Sequence, residues 1–160
     1  MKSLLLALAA TLSLSLAAQD ALPADIQLKT LDGQAFSTTD LARKDGNTVV
    51  ALWATWCAPC KMELDVYKEF YPEWKEKYGA EVYAVSIDRG AALAKVPGMV
   101  EAKGWTFPVL TDETHELMAA LQLRSIPQIY IIDRDGKIVY QHAGYSKGDE
   151  AKVEAVLARS

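Results

Sequence analysis

Apolar residues in this chain alternate between short continuous runs and stretches with helical spacing. Continuous apolar and β-branched runs at residues 48–55 and 81–88 predict two strands that are buried on both faces of a sheet. From Ala58 to Tyr78, apolar side chains recur every three or four residues, which predicts a long helix that ends at a glycine cap. Pro72 lies inside this pattern, and we expect it to kink or divide the helix.

The flanking segments predict further strands and helices. Two short strands should form a hairpin around Asp32–Gly33, because an Asp-Gly pair between alternating residues favours a tight turn. We expect Pro97 and Gly98 to interrupt a helix over residues 91–103. The rest of the chain predicts a strand, a helix, a strand–turn–strand unit and an amphipathic helix, at residues 107–112, 114–123, 127–143 and 147–160. This alternation predicts an α/β fold, with a central mixed β-sheet flanked by helices.

The N-terminal segment has a different character from the rest of the chain. One positive charge, Lys2, precedes an apolar run, and the small residues Ser15 and Ala17 follow at the spacing that a signal peptidase accepts. We therefore predict a cleaved signal peptide at residues 1–18, a single domain at residues 19–160, and a periplasmic or secreted protein. An uncleaved membrane anchor is the alternative, but the run is shorter than the ~20 apolar residues of a spanning helix.

Composition narrows the class of protein. With 160 residues, of which 51% are hydrophobic and 24% charged, the chain has the make-up of one soluble globular domain. The net charge is −4 at pH 7, and no cluster of Lys and Arg stands out. Binding to a phosphate backbone requires such a cluster, so we predict no nucleic acid partner.

The chain has two cysteines, Cys57 and Cys60, separated by two residues between the first buried strand and the long helix. A loop this short contributes little stability through chain entropy, so a structural staple is a poor interpretation. Cys57 should lie at the start of the helix, where unpaired N–H groups and the helix dipole favour a thiolate. We predict that Cys57 is the nucleophile and Cys60 the resolving thiol, with Pro59 in the first helical turn.

A metal site is the competing interpretation of the two cysteines. A structural zinc ion requires four ligands, and the other candidate ligands, His115 and His142, are far away in the sequence. We therefore predict no bound metal and no cofactor.

Two motifs in combination carry a resemblance to a known family. "WCAPC" follows a hydrophobic strand, and "SIPQIYIIDRDGKIV" lies further along the chain. Together they resemble the thioredoxin superfamily, and in particular its TlpA/ResA-like exported thiol–disulfide oxidoreductases, from Ile26 to the C-terminus. The resemblance implies a thioredoxin-like fold with an N-terminal β-hairpin extension. It also implies a protein-disulfide oxidoreductase in which Cys57 and Cys60 form a redox-active disulfide.

The resemblance further implies roles for residues around the cysteines. Pro127 matches the cis-proline of the family, which shapes the groove where an extended client docks, and Ile126 would offer its backbone N–H and C=O to the client. Trp56 would cover the nucleophile and, with Pro59, contact the client, whereas Trp53 belongs to the core.

Glu63 matches an acidic residue that the family carries three residues after the second cysteine. It would accept a proton from Cys60 or raise thiol pKa values, and the alternative is a solvated helix acid. Two positions depart from the related proteins. Ala51 replaces the buried acid of thioredoxin, and Asp65 replaces a proline, so we expect the helix bend at Pro72 instead.

The same resemblance favours one direction of electron flow. Ala-Pro between the cysteines and Ile126 before the proline are typical of reducing members, so we expect a reductase of protein clients, for example in cytochrome c maturation. A membrane thiol carrier would supply electrons, and we expect a monomer. Two alternatives remain: a thiol peroxidase, although Ala54 stands where a Thr or Ser is wanted, and a copper-handling protein that uses His142.

Overall fold

Seven strands form one mixed sheet in the computed structural model, which describes residues 20–159. The predicted signal peptide lies outside this part of the chain. The strands are β1 (Gln27–Thr30), β2 (Ala35–Ser37), β3 (Thr48–Trp53), β4 (Glu81–Ser86), β5 (Val109–Thr111), β6 (Gln128–Ile132) and β7 (Ile138–Ala143). Their order is β2-β1-β5-β4-β3-β6-β7. Strands β3, β4 and β5 run parallel, and the remaining pairs are antiparallel.

The N-terminal hairpin predicted around Asp32–Gly33 is present as β1 and β2, and it extends the central sheet. Gly33 has a φ of +86°, a conformation that glycine adopts without the steric cost of a Cβ. Strand β1 pairs with β5 through Lys29↔Thr111 and Thr30↔Leu110. The hairpin therefore continues the central sheet beyond β5.

The continuous apolar run of β3 is explained by burial on both faces, since all six of its residues are buried. Val49, Ala51 and Trp53 face one core cluster together with the long helix. Val50 and Leu52 face a second cluster on the opposite side of the sheet. Helices cover both faces, as the sequence predicts for a strand without polar alternation.

Residues 20–159 contain five α-helices: α1 (Ala58–Tyr78), α2 (Gly90–Leu93), α3 (Val96–Lys103), α4 (Glu116–Ala120) and α5 (Asp149–Leu157). A short 3-10 helix, Thr38–Leu41, follows the hairpin. Within residues 20–159, no helix combines the length and apolar character needed to cross a membrane.

The long helix α1 continues through Pro72, so the expectation that this proline divides the helix is wrong. Tyr71 and Trp74, on either side of the proline, are both buried, and their packing holds the two halves of the helix on the sheet. Gly79 ends α1 in the left-handed conformation, as the sequence predicts.

The helical segment over residues 91–103 is interrupted earlier than expected. The break falls between Leu93 and Val96, and Pro97 lies in the first turn of α3. Proline is well accommodated there, because the first N–H groups of a helix have no partner within it. Pro97 therefore begins a helix rather than interrupting one.

Candidate active site

Cys57 and Cys60 are joined by a disulfide at the start of α1. Cys57 is the N-cap of the helix, and the backbone N–H of Cys60 points at its Sγ at 3.3 Å. Cys57 is 6% exposed and Cys60 is fully buried. In the reduced protein, a hydrogen-bond donor and the helix dipole would therefore face the more exposed of the two sulfurs.

Strand pairing brings the predicted proline loop beside the cysteines. The Ile126–Pro127 peptide bond is cis. Leu52 pairs with Gln128 across the antiparallel strands β3 and β6, so the proline loop enters β6 at the same end of the sheet where β3 leads into Cys57. The backbone N–H of Gly144 donates to the Pro127 carbonyl at 2.8 Å, which ties the loop to the end of β7.

The backbone of Ile126 is open. Within residues 20–159, neither its N–H nor its C=O takes part in a hydrogen bond. Two unpaired backbone groups in the loop just before a strand can pair with an extended segment.

A groove of about 510 Å³ lies next to this open backbone. Trp56, which is 67% exposed, forms one side, and Ile126 forms another. The remaining lining consists of three apolar and three polar side chains: Ile87, Met118, Leu123, His115, Arg124 and Ser125. Exposed tryptophan beside an apolar groove is typical of a surface that binds another molecule.

Glu63 is buried on α1, three residues after Cys60. Residues three apart on a helix are neighbours on one face. Burial raises the pKa of Glu63 to about 8, whereas the hydrogen bond from Tyr67 lowers it and the negative charge of Asp149 raises it. The alternative of a solvated helix acid is therefore wrong, because this carboxyl is only 1% exposed.

Sequence reasoning missed the surroundings of Glu63. The Tyr67 hydroxyl donates to Glu63 Oε1 at 3.2 Å, and burial followed by the charge of Glu63 raises the pKa of Tyr67 well above its ordinary value. Tyr67 follows Glu63 by four residues, a spacing that places the two side chains together on a helix. Asp149 is distant in sequence and gave no such signal.

The two histidines that the sequence offered as metal ligands contact other groups in the structure. His142 lies on β7 and contacts Asp149, with Nε2 3.3 Å from Oδ2. His115 Nε2 lies 2.7 Å from the Ile87 carbonyl oxygen. Among the described residues, no three side chains of His, Cys, Asp and Glu are grouped to hold a metal ion. Ala54, at the position where a thiol peroxidase would carry Thr or Ser, is fully buried.

The seven-stranded mixed sheet, with paired cysteines at the start of its long helix, defines a thioredoxin-like protein. Residues 18–141 match the AhpC/TSA family, and the chain belongs to that family. A solved structure, described as an uncharacterized thioredoxin-like protein from Porphyromonas gingivalis, is 34% identical, with a TM-score of 0.75. That match covers 86% of this chain and 90% of the other.

Curated relatives carry a more specific name. The chain is similar to the thiol-disulfide oxidoreductase ResA of Oceanobacillus iheyensis, at 38% identity over 121 residues, or 74% of this chain. It is also similar to the ResA of Bacillus anthracis, at 33% identity over 114 residues, or 71% of this chain. The matches span 61% and 63% of these two relatives, respectively.

Proposed function

We propose that this chain is an exported thiol–disulfide oxidoreductase that uses Cys57 and Cys60 to reduce disulfides in protein clients. One observation carries the proposal: the two cysteines form a disulfide at the N-terminus of α1, with the Cys60 N–H directed at Cys57 Sγ. The names of the ResA relatives support the same chemistry.

The first step is attack by the Cys57 thiolate on a client disulfide. A new S–S bond forms between Cys57 and one client sulfur, and the other client sulfur leaves as a thiolate that takes a proton from water. The helix N-terminus and the Cys60 N–H stabilise the thiolate before attack. Cys57 is the attacking residue because it is the more exposed of the two.

The second step releases the client. The Cys60 thiol transfers its proton to the Glu63 carboxylate, and the resulting thiolate attacks Cys57 Sγ. The mixed disulfide breaks, the second client sulfur leaves as a thiolate, and the Cys57–Cys60 bond closes after a two-electron transfer. With its pKa raised to about 8, Glu63 is close to a free thiol at about 8.5, a match that favours proton transfer.

Client docking follows from the surfaces beside the cysteines. An extended segment would pair with the free backbone N–H and C=O of Ile126. Its side chains would contact Trp56 and the apolar groove, while Pro59, exposed in the first turn of α1, and Pro127 border the reacting sulfurs. We therefore assign Trp56, Pro59, Ile126 and Pro127 to client binding.

The cellular setting of the proposal comes from the sequence. A signal peptide over residues 1–18 would deliver the domain to the periplasm or the exterior, where a membrane thiol carrier would return Cys57 and Cys60 to the dithiol. Cytochrome c maturation is the client pathway that the resemblance to ResA-like reductases favours, and the enzyme would act as a monomer.

Trapping of a client tests the proposal most simply. We expect Cys57→Ser to abolish disulfide reduction, whereas Cys60→Ser retains a client as a mixed disulfide, because the resolving thiol is missing. The double variant is the matched control and should trap nothing. Equal trapping by Cys60→Ser and the double variant would contradict the proposal, as would faster consumption of peroxide than of a protein disulfide.

A further inference from the structure

Asp88 is a buried carboxylate that the steps above do not use. It lies two residues beyond the end of β4 and is 1% exposed. Its position is next to the loop that connects β3 to α1, and this loop carries Trp56 and Cys57. A buried carboxylate is costly unless hydrogen bonds compensate for its lost hydration, so its partners indicate its role.

The partners of Asp88 are concentrated on one residue of that loop. Oδ2 accepts the backbone N–H of Thr55 at 2.8 Å, and Oδ1 accepts the Thr55 hydroxyl at 2.9 Å. The Ser86 hydroxyl donates to Oδ2 at 2.9 Å and also accepts the Asp88 N–H at 3.1 Å. Both carboxylate oxygens are therefore engaged, and two of the bonds hold the residue just before Trp56.

Other contacts fix the same loop from its remaining sides. Lys61 Nζ donates to the Thr55 carbonyl oxygen at 2.9 Å, and the Cys57 N–H donates to the Ala54 carbonyl at 3.0 Å. Asp88 is the anchor that joins the loop to the neighbouring strand through a side chain. Without it, the Thr55 N–H and hydroxyl would be buried without a partner.

We propose that Asp88 is a positioning residue for Cys57: by binding the Thr55 N–H and hydroxyl, it holds the sulfur at the start of α1 and keeps Trp56 in place beside it. This inference rests on the proposed function, because it concerns the reactivity of Cys57. Among the hydrogen bonds of residues 20–159, none joins Asp88 to either cysteine. Asp88 therefore acts on Cys57 through the loop.

Two substitutions separate position from charge. Asp88→Ala removes the anchor, whereas Asp88→Asn keeps its shape, since the amide oxygen accepts the Thr55 N–H and the NH₂ group donates to the Thr55 hydroxyl. Each is made in a Cys60→Ser background, so that Cys57 is the single thiol. The measurement is the rate of Cys57 alkylation by iodoacetamide across pH, with folding monitored by circular dichroism.

We expect Asp88→Ala to slow alkylation at pH 7 on the order of tenfold and to shift its pH profile upward, because a loosened loop misaligns the sulfur with the helix. Asp88→Asn should stay within about twofold of the parent, as expected when geometry rather than charge matters. Equal profiles for the alanine variant and the parent would overturn the proposal, as would equal effects of Ala and Asn.

Matched controls cover loss of stability and failure to fold. Glu81→Ala removes a buried carboxylate at the other end of β4 and should leave alkylation unchanged. If Asp88→Ala does not fold, Thr55→Val is tested in its place. Thr48→Val is the control, because it also removes a buried hydroxyl, one that donates to the Leu41 carbonyl oxygen at 2.7 Å. Slowing by Thr55→Val alone supports the proposal, and equal rates for the two valine variants overturn it.

Alkylation of the Cys60→Ser parent distinguishes failure of the positioning role from failure of the proposed function. If Cys57 in the Cys60→Ser parent reacts no faster at pH 7 than an ordinary thiol, the proposed function fails. If the parent reacts fast and Asp88→Ala reacts equally fast, only the positioning role fails.

Discussion

Two buried glutamates of this protein have opposite surroundings. Glu81, at the start of β4, accepts hydrogen bonds from Arg43 Nη1 at 2.5 Å and Lys75 Nζ at 3.1 Å, and from the Tyr71 hydroxyl. Its charge is therefore offset by two cations and a phenol. It ties the start of the central sheet to α1 and to the segment before β3.

Glu63, buried on α1 three residues after Cys60, has no such cations around it within residues 20–159. Its hydrogen-bond partner is the neutral Tyr67 hydroxyl, and the charge that raises its pKa further is negative, from Asp149. Ionising this carboxyl costs free energy that the hydrogen bond from Tyr67 offsets only in part. Burial alone therefore does not show that an acidic residue has a structural role. Glu81 stabilises the fold, whereas Glu63 is suited to hold and release a proton.

Substitution of Glu81 should give the largest difference between the two glutamates, as a loss of folding stability. We expect Glu81→Ala to lower the free energy of unfolding by about 3 kcal/mol, because the Arg43 and Lys75 charges and the Tyr71 hydroxyl lose their shared partner. Glu63→Gln should cost far less at pH 7. Urea unfolding of the two oxidised variants measures the change in the free energy of unfolding. Equal losses would contradict a structural role for Glu81 that Glu63 lacks.

The next effect is the pH dependence of stability. Glu63 has a folded pKa of about 8 against an ordinary 4.5, so folding takes up a proton between these values. The stability that this group contributes is complete below pH 4.5 and is lost as the pH rises through 8. Glu63→Gln should therefore gain about 2 kcal/mol over the parent between pH 5 and pH 8, less than the full shift implies, since buried sites relax around a charge.

Thermal unfolding of the oxidised proteins at both pH values checks this prediction. Glu69→Gln, on the same helix, is the control and should show no pH-dependent gain. A constant difference between Glu63→Gln and the parent would contradict a raised pKa for Glu63.

A smaller effect concerns the donor to Glu63. Tyr67→Phe removes the hydrogen bond that lowers the pKa of Glu63, so we expect that pKa to rise above its value in the parent. Under the proposed mechanism the pH profile of client release would move upward in the same direction, because Glu63 could accept the proton of Cys60 only as a carboxylate. Single-turnover kinetics of the mixed disulfide report this shift, and a downward shift would disprove it.

The smallest effect comes from a charge across the helix interface. Asp149→Asn removes the negative charge that raises the pKa of Glu63, so that pKa should fall slightly. Glu150→Gln changes the neighbouring acid of α5 and serves as the control. Carboxyl titration by NMR would follow both variants, and equal shifts would assign the effect to net charge instead.

Local patterns were sufficient to predict most of the fold. The β3 run, the stripe of α1 with its Gly79 cap and the hairpin at Asp32–Gly33 all have signals within a few residues of one another, and the structure has each. The prolines were less predictable. Whether Pro72 breaks a helix depends on the packing of its neighbours, which lies outside any local pattern.

The residues of the candidate site also divide into those that local patterns predict and those that only the fold brings together. The position of Cys57 at a helix start followed from local spacing, and the structure places it at the N-cap of α1. The burial of Glu63 could not be decided from its spacing, since a helix acid at that offset faces either water or the core. The contacts of Asp88 with Thr55 join residues 33 apart in sequence, so only the fold reveals them.

Titration of the Glu63 carboxyl in the oxidised protein tests this account most directly. Carbon-13 NMR of a glutamate-labelled sample, with Glu63→Gln to assign the resonance, would give the value. We expect Glu63 to titrate near pH 8, where a carboxyl can exchange a proton with a thiol. Titration near the ordinary 4.5 would contradict the assignment of Glu63 as the proton acceptor of Cys60.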